Sequence, residues 1–299
     1  MPDLVLSIGE VCLALAAGRH EWSFESGSAY PLFATTELEK QPDVRLYVYI
    51  DTDYPPVDLG AEIFAAKHAP EQREPSWSLH RQADGRWALV VNVDSVSAFR
   101  QRVAILEQDL SRGDLILYPR GSPSPSFPLM APLDRVLVLN LLSRRRGIML
   151  HACGIDDGGQ GIVFAGPSDA GKTTLARLWN AVPGVKVLGD EALVLREVGG
   201  EVRVYGTPWP GEAGLADPGG VPLRRLFFVE HANRNDVRAL GQSLKVRKLL
   251  AQTVLLPYDR EGSERIVDFC ISLAEAVPAA ELGFVPDSSI AEFVRGIDL

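Results

Sequence analysis

Residues 166–173 read GPSDAGKT, a full match to the spacing GxxxxGKT. The run follows the apolar stretch GIVFA and opens onto TTLARLW, so a strand feeds the turn and a helix leaves it. Gly166 and Gly171 let main-chain N–H groups turn inward around phosphates, and the positive end of the helix adds to the attraction. Pro167, Ser168, Asp169 and Ala170 fill the loop between them, and Thr174 closes the same nucleotide-binding stretch. Lys172 sets a point charge against the β- and γ-phosphates of a nucleoside triphosphate, and the Thr173 hydroxyl can ligate Mg²⁺. Asp169 places a negative charge inside the loop. It either holds the turn, since Asp tolerates unusual backbone angles, or weakens triphosphate binding.

A second group of candidates follows at once. The run VKVL leads into Gly189, Asp190 and Glu191, only one short helix after Lys172. Carboxylates at a strand end beside a phosphate loop can hold Mg²⁺ or take a proton from an attacking hydroxyl. In motors, transporters and switch GTPases the second acidic motif comes much later, so this spacing sets the chain apart from them. The competing reading is an acidic pair facing solvent. His151, in LHACGI just ahead of the loop, is either a satisfied core histidine or a group near the reacting phosphate. Trp209, between prolines in YGTPWPGEAG, either covers a ligand or anchors its loop. Arg224, Arg225, Arg234 and Arg238 are candidates to stabilise transferring charge, and the sequence does not choose among them.

The elements that must carry these residues fall into two parts. Up to about residue 126 the chain is β-rich: LVLSIG, VRLYVYI, WALVVNV and DLILYP are short apolar or alternating runs divided by Gly, Pro, Asp and Ser. Residues 94–110 mix helical and strand signals. The segment RGSPSPSFPLMAP, dense in Ser and Pro, reads as a linker or an extended crossing and marks a boundary between 1–126 and 127–299. Beyond it LDRVLVLNLLSRRRG has helical spacing, with Arg144, Arg145 and Arg146 as a solvated, dipole-matched helix end. Strands (IMLHACGID, GIVFAG, VKVLGDEALVL, EVRVYGTPW, LRRLFFVEH) then interleave with helices (KTTLARLWNAV, SLKVRKLLAQTVL, ERIVDFCISLAEAV). A last strand and a helix capped near Asp287 or Ser288 end the run. This predicts an α/β, or mixed α+β, fold behind a β-rich N-terminal part.

Composition narrows the classes. The 299 residues carry a formal net charge of −9 at pH 7, which argues against nucleic acid and anionic membrane as general partners. Cys12, Cys153 and Cys270 are far apart and odd in number, which argues against a disulfide framework or a cysteine-rich zinc site and fits a reducing compartment. Asp3 and Glu10 interrupt the N-terminal apolar run, which lacks a basic start and reads as a buried strand pair rather than a signal peptide. No run of about 18 uncharged apolar residues predicts a spanning helix, so a cytoplasmic protein is expected.

Taken together, LHACGI, GIVFAGPSDAGKTTLARL, KVLGDEALVL and VYGTPWPGE resemble the catalytic domain of HPr kinase/phosphorylase and its relatives, over roughly Pro132 to the C-terminus. That fold is shared with ATP-dependent phosphoenolpyruvate carboxykinases. The nearest likeness is to HPr-kinase-like proteins, including kinases that phosphorylate a serine of a lasso-peptide precursor. The resemblance implies ATP with Mg²⁺, Lys172 on the phosphates and Thr173 on the metal. It implies that Asp190 activates the acceptor hydroxyl, that Glu191 is the second acid near metal or base, and that His151 lies near the reacting phosphate. It also implies a homo-oligomer, since family members often form hexamers. The chain departs from the pattern: HPr kinases usually carry a glycine where Asp169 stands and two aspartates where Asp190 and Glu191 stand. Their later glycine-rich signature is missing too. The carboxykinases are longer, and their oxaloacetate-binding segments find no match. HPr as acceptor and carboxykinase activity are therefore disfavoured.

The reading expected from the sequence is a kinase moving the γ-phosphoryl group of ATP to a serine-like hydroxyl on a peptide, a protein or a small molecule. The alternatives are a nucleotide-binding protein without transfer activity and a kinase of small metabolites.

Overall fold

In a computed structural model, residues 4–16, 22–37, 41–50, 55–66, 75–92, 98–121 and 126–298 are described. The fold is mixed α+β, and the chain divides into two compact units, Met1–Leu141 and Leu142–Leu299. The sequence placed a boundary at 126/127. The compact units part later, near the end of a helix.

The first unit is built on one nine-stranded sheet. Its elements are β1 (Leu4–Ile8), β2 (Val11–Ala16), the short helix α1 (Tyr30–Phe33), β3 (Ala34–Thr35), β4 (Val44–Ile50), β5 (Ala61–Ala66), β6 (Trp77–Arg81), β7 (Trp87–Asn92), β8 (Phe99–Leu106) and β9 (Arg112–Pro119). The strand order is β3-β1-β2-β4-β9-β8-β7-β6-β5. The expected N-terminal strand pair is present as the β1–β2 hairpin, with Gly9 (φ 55°) and Glu10 (φ 61°) both left-handed at its tip, as a tight hairpin turn requires. The ambiguous segment resolves as strand β8 from Phe99 onward, where pairing on both sides by β7 and β9 overrides local preference; residues 94–97 lie outside the described residues. The Ser/Pro-rich segment is partly outside them as well, at 122–125. Its described end is tied down by polar groups of the same unit. The buried Arg102 guanidinium donates to Pro128 O at 2.9 Å and Met130 O at 3.3 Å. The Tyr30 hydroxyl accepts from Ala131 N and donates to the buried Asp134 carboxylate at 2.7 Å.

Helix α2 (Leu133–Ser143) leads into the second unit, which contains β10 (Gly147–Asp157), β11 (Gly161–Ala165), α3 (Lys172–Asn180), β12 (Val185–Gly189), β13 (Ala192–Val198), β14 (Glu201–Tyr205), β15 (Gly220–His231), β16 (Asp236–Ala239), α4 (Gln242–Gln252), α5 (Arg260–Ala276), β17 (Ala279–Phe284) and α6 (Ser289–Arg295). The order in its sheet is β11-β10-β13-β14-β15-β17-β16, with β12 beside β10 and an added parallel pairing of β11 with β15. Two features position the site. First, β11, β15 and β17 run parallel, so their C-terminal ends share one edge of the sheet. Second, β12 and β13 pair antiparallel with successive stretches of β10, as one strand broken only at residues 190 and 191. Helix α3 buries Leu175, Ala176 and Trp179 on the core, where Phe164 lies between Trp179 (centroids 6.1 Å) and Phe227 (5.8 Å). Among the described residues no helix is long and apolar enough to cross a membrane, and all three cysteines are buried and unbridged.

Candidate active site

The phosphate-loop sequence folds as its glycines require. β11 ends in the buried core at Ala165, and residues 166–171 turn the chain into α3. Gly166 lies so close to β15 that an added Cβ would sit 3.2 Å from Val229 O and 3.0 Å from Ala170 Cβ. Gly171, the N-cap of α3, is left-handed (φ 94°), and Asp169 is left-handed too (φ 64°). Asp is among the few side chains that adopt this conformation readily, so the first of the two readings of Asp169 has its geometric basis. No side chain caps α3, so the donors of its first turn are left to line a cleft. The buried Lys172 ammonium crosses the loop and donates to Gly166 O (2.9 Å) and Pro167 O (2.8 Å). Burial holds its pKa below the ordinary lysine value, against the opposing pull of Glu191, Cys153 and Asp169.

The cleft has a volume of about 370 Å³ and is lined by His151, Ser168, Asp169, Gly171, Lys172, Thr173, Thr174, Arg177, Glu191, Glu212 and His231. His151, in β10, pairs in register with Ala192 at the start of β13, directly beyond the break in that strand. The break sets the Glu191 side chain beside it, with His151 Nδ1 3.2 Å from Glu191 Oε1. Where the two hydrogen-bond, the carboxylate accepts and Nδ1 donates, which leaves the lone pair of a neutral imidazole on Nε2. Burial and the Lys172 charge lower the His151 pKa, which Glu191 partly offsets. The histidine is therefore disposed to be neutral near pH 7, as a proton acceptor must be.

Asp190 is placed differently from its neighbour. Successive residues of an extended chain face opposite ways, and here the two acids part: Glu191 lines the cleft, while Asp190 is 1% exposed. Both Asp190 oxygens accept main-chain hydrogen bonds at 2.8 Å, Oδ1 from Gly211 N and Oδ2 from Ala213 N. The loop between β14 and β15 is thereby clamped from beneath. Thr207 adds a buried bond to Ala192 O at 2.7 Å, and Asp217 N bonds to Leu188 O. Trp209, 3% exposed and absent from the cleft lining, is packed as an anchor of this loop.

The clamp carries Glu212, between the two amides that Asp190 holds, to the cleft, and Arg177 Nη2 donates to Glu212 O at 3.3 Å. Glu212, Arg177 and His231 are the cleft residues that sequence reasoning missed. Arg177 lies one helical turn after Thr173, on the same face, a signal open to inspection. The four arginines named from the sequence are not in the lining. Arg224 pairs with Glu201, Arg238 with Glu230, and Arg225 donates to Val294 O at 2.6 Å.

Among the described residues no group of three or more His, Cys, Asp or Glu is arranged to hold a metal ion unaided. Mg²⁺ bound with a nucleotide needs only one or two protein oxygens beside phosphates and water. Thr173, Glu191 and Glu212 offer hard oxygen donors in the cleft, whereas Asp190 is buried behind it and accepts one main-chain amide on each oxygen. No protein-family model matches the chain, and no curated protein matches it.

Proposed function

We propose that the chain is an ATP-dependent kinase of the HPr-kinase-like fold, transferring a γ-phosphoryl group to a hydroxyl acceptor. The observation that carries this reading is a shared cleft: the Lys172 loop and the His151–Glu191 pair line the same 370 Å³. Main-chain amides of the loop and helix start, with Lys172 and Arg177, bind and orient the phosphates. Thr173 and a cleft carboxylate, Glu191 or Glu212, would hold Mg²⁺ brought with the nucleotide, which would supply neutralisation of phosphate charge. The acceptor oxygen bonds to the γ-phosphorus as the bond to the bridging oxygen breaks, ADP leaves, and the hydroxyl proton passes to His151 Nε2. Glu191 orients the imidazole and stabilises its charged form, as an acid does behind a histidine base. The acceptor is a hydroxyl on a peptide, protein or small molecule, and the first unit would serve its recognition or subunit assembly.

The burial of Asp190 favours a second reading, a nucleotide-binding protein without transfer, because the family's proton-accepting acid is here engaged elsewhere. The test is to incubate the full chain with γ-labelled ATP and Mg²⁺ against serine-containing peptides, free amino acids and sugars. Label transfer that disappears in Lys172→Met supports the kinase. Calorimetric ATP binding with no transfer and no hydrolysis supports the second reading. Failure to bind ATP, ADP or triphosphate at millimolar concentration ends both.

A further inference from the structure

We propose that His231 is a positioning residue that braces the phosphate loop through the main-chain carbonyl of Asp169. The inference rests on the reading that this loop holds phosphates, and it deepens that reading. β15 pairs with β11 only up to Ala165 opposite Phe228, and then runs three residues further, to His231. At about 3.3 Å per residue this overshoot carries the strand roughly 10 Å past the end of β11, level with the loop. There the His231 ring stacks on Phe284, its in-register partner in β17, with centroids 5.5 Å apart and planes 30° off parallel. His231 Nε2 stands 3.0 Å from Asp169 O. A carbonyl can only accept, so Nε2 carries the hydrogen and the imidazole is the donor.

The contact falls where the loop needs it. Asp169 is the loop's left-handed residue with a side chain, a conformation that costs a non-glycine residue free energy and persists only where neighbours enforce it. The same pair of rings backs Gly171, the second left-handed position: a Cβ added there would run into Phe284 and sit 3.0 Å from His231 Cε1. With Lys172 holding the carbonyls of Gly166 and Pro167, and His231 that of Asp169, three carbonyls of the loop are fixed by side chains. Fixing a carbonyl fixes the N–H of the next residue on the opposite side of the same planar peptide. The brace therefore acts with the turn bond from Ala170 N to Pro167 O (3.3 Å) to set the direction of the Ala170 amide.

The experiment uses the full chain and four variants: His231→Ala, His231→Gln, Asp169→Gly and the double variant His231→Ala/Asp169→Gly. Two quantities are read, hydrogen exchange at the Ala170 amide without nucleotide and ATP affinity by calorimetry with Mg²⁺. His231→Ala is expected to speed exchange and weaken ATP, each by roughly 5–30-fold, equivalent to about 1–2 kcal/mol, the scale of one lost hydrogen bond. His231→Gln keeps an N–H donor at similar reach and should restore both to within about threefold. Where residue 169 is glycine the left-handed turn stands unaided, so there His231→Ala should cost less than about threefold. A glutamine variant as poor as alanine, or an alanine penalty as large in the Asp169→Gly background as in the parent, overturns the brace. If the parent binds no ATP, the nucleotide reading fails, and the exchange rates decide the brace alone.

Discussion

Replacing Asp190 by asparagine separates a structural role from a chemical one. The side chain keeps its shape but loses one acceptor oxygen, and it gains an N–H₂ that must face either Gly211 N–H or Ala213 N–H. Each of those amides now donates to the carboxylate at 2.8 Å in a site only 1% exposed. A hydrogen bond to a charged group contributes about 1.5–3 kcal/mol, and leaving a buried donor unmatched costs about 1–3 kcal/mol more. The sum is a loss of about 2.5–6 kcal/mol. For a unit the size of Leu142–Leu299 each kcal/mol moves Tm by about 2–4 °C, so Asp190→Asn should lower its melting transition by roughly 5–24 °C. Calorimetry reads the shift, and hydrogen exchange should show one of the Gly211 and Ala213 amides, the one facing the new N–H₂, deprotected. ATP affinity should change less than stability, because Asp190 does not itself line the cleft and acts there only through the Glu212 that its loop carries. A variant that melts within about 2 °C of the parent, keeps both amides protected and yet loses phosphoryl transfer would refute the clamp and restore Asp190 as the proton acceptor.

Three further outcomes follow from the same geometry. His151 should titrate below its ordinary 6.5; Lys172→Met should raise its NMR midpoint and Glu191→Gln lower it further, and an unmoved midpoint in both would show the charge assignment to be wrong. Since folding lowers this pKa, His151 adds stability above about pH 6.5 that is lost as the pH falls through its folded-state value. Asp157, held low first by its hydrogen bond to Arg295 in a two-pronged contact (2.9 and 2.6 Å), joins β10 to α6. Asp157→Asn should cost about 1 kcal/mol near neutrality, and that difference from the parent should shrink as the pH falls below the ordinary 3.8, read by urea unfolding at stepped pH. Gly211→Ala puts a Cβ 2.9 Å from Asp190 Oδ2 and should destabilise the second unit by about 1–3 kcal/mol; an unchanged melting curve would mean the loop is not held as described.

What could be read in advance was local. The loop, its flanking strand and helix, and most short strands follow from glycine spacing and apolar period, which act over a few residues. The role of Asp190 was not legible, because Asp190 and Glu191 look alike in sequence and differ only in which way a broken strand turns them. Recognising the break required knowing that β12 and β13 share β10 as partner. His231 was hidden for a similar reason: it lies about 60 residues beyond the loop, and only the parallel pairing of β15 with β11 brings it there. Its run, LFFVEH, did read as a strand. A rule that the residue past the end of a parallel neighbour reaches the loop would have found it. Arg177 needed less, only the face of α3 that Thr173 defines.

The two strand geometries meeting at the cleft divide its labour. Parallel strands β11, β15 and β17 end at one edge, and from that edge come the groups that would face phosphates: the loop, the start of α3, Lys172 and His231. The antiparallel pairing of β10 with the broken β12–β13 strand supplies His151 and Glu191, the groups able to move a proton. A phosphate site alone could sit at the end of the parallel strands, as it does in many folds that only bind nucleotides. What the antiparallel break adds is a histidine with a carboxylate behind it, its pKa lowered by burial and by the same lysine that would hold the phosphates. That shared charge ties proton acceptance to the occupancy of the loop. An anion set against Lys172 offsets its charge and makes His151 more basic, and bound phosphate thus strengthens the group that would deprotonate the acceptor.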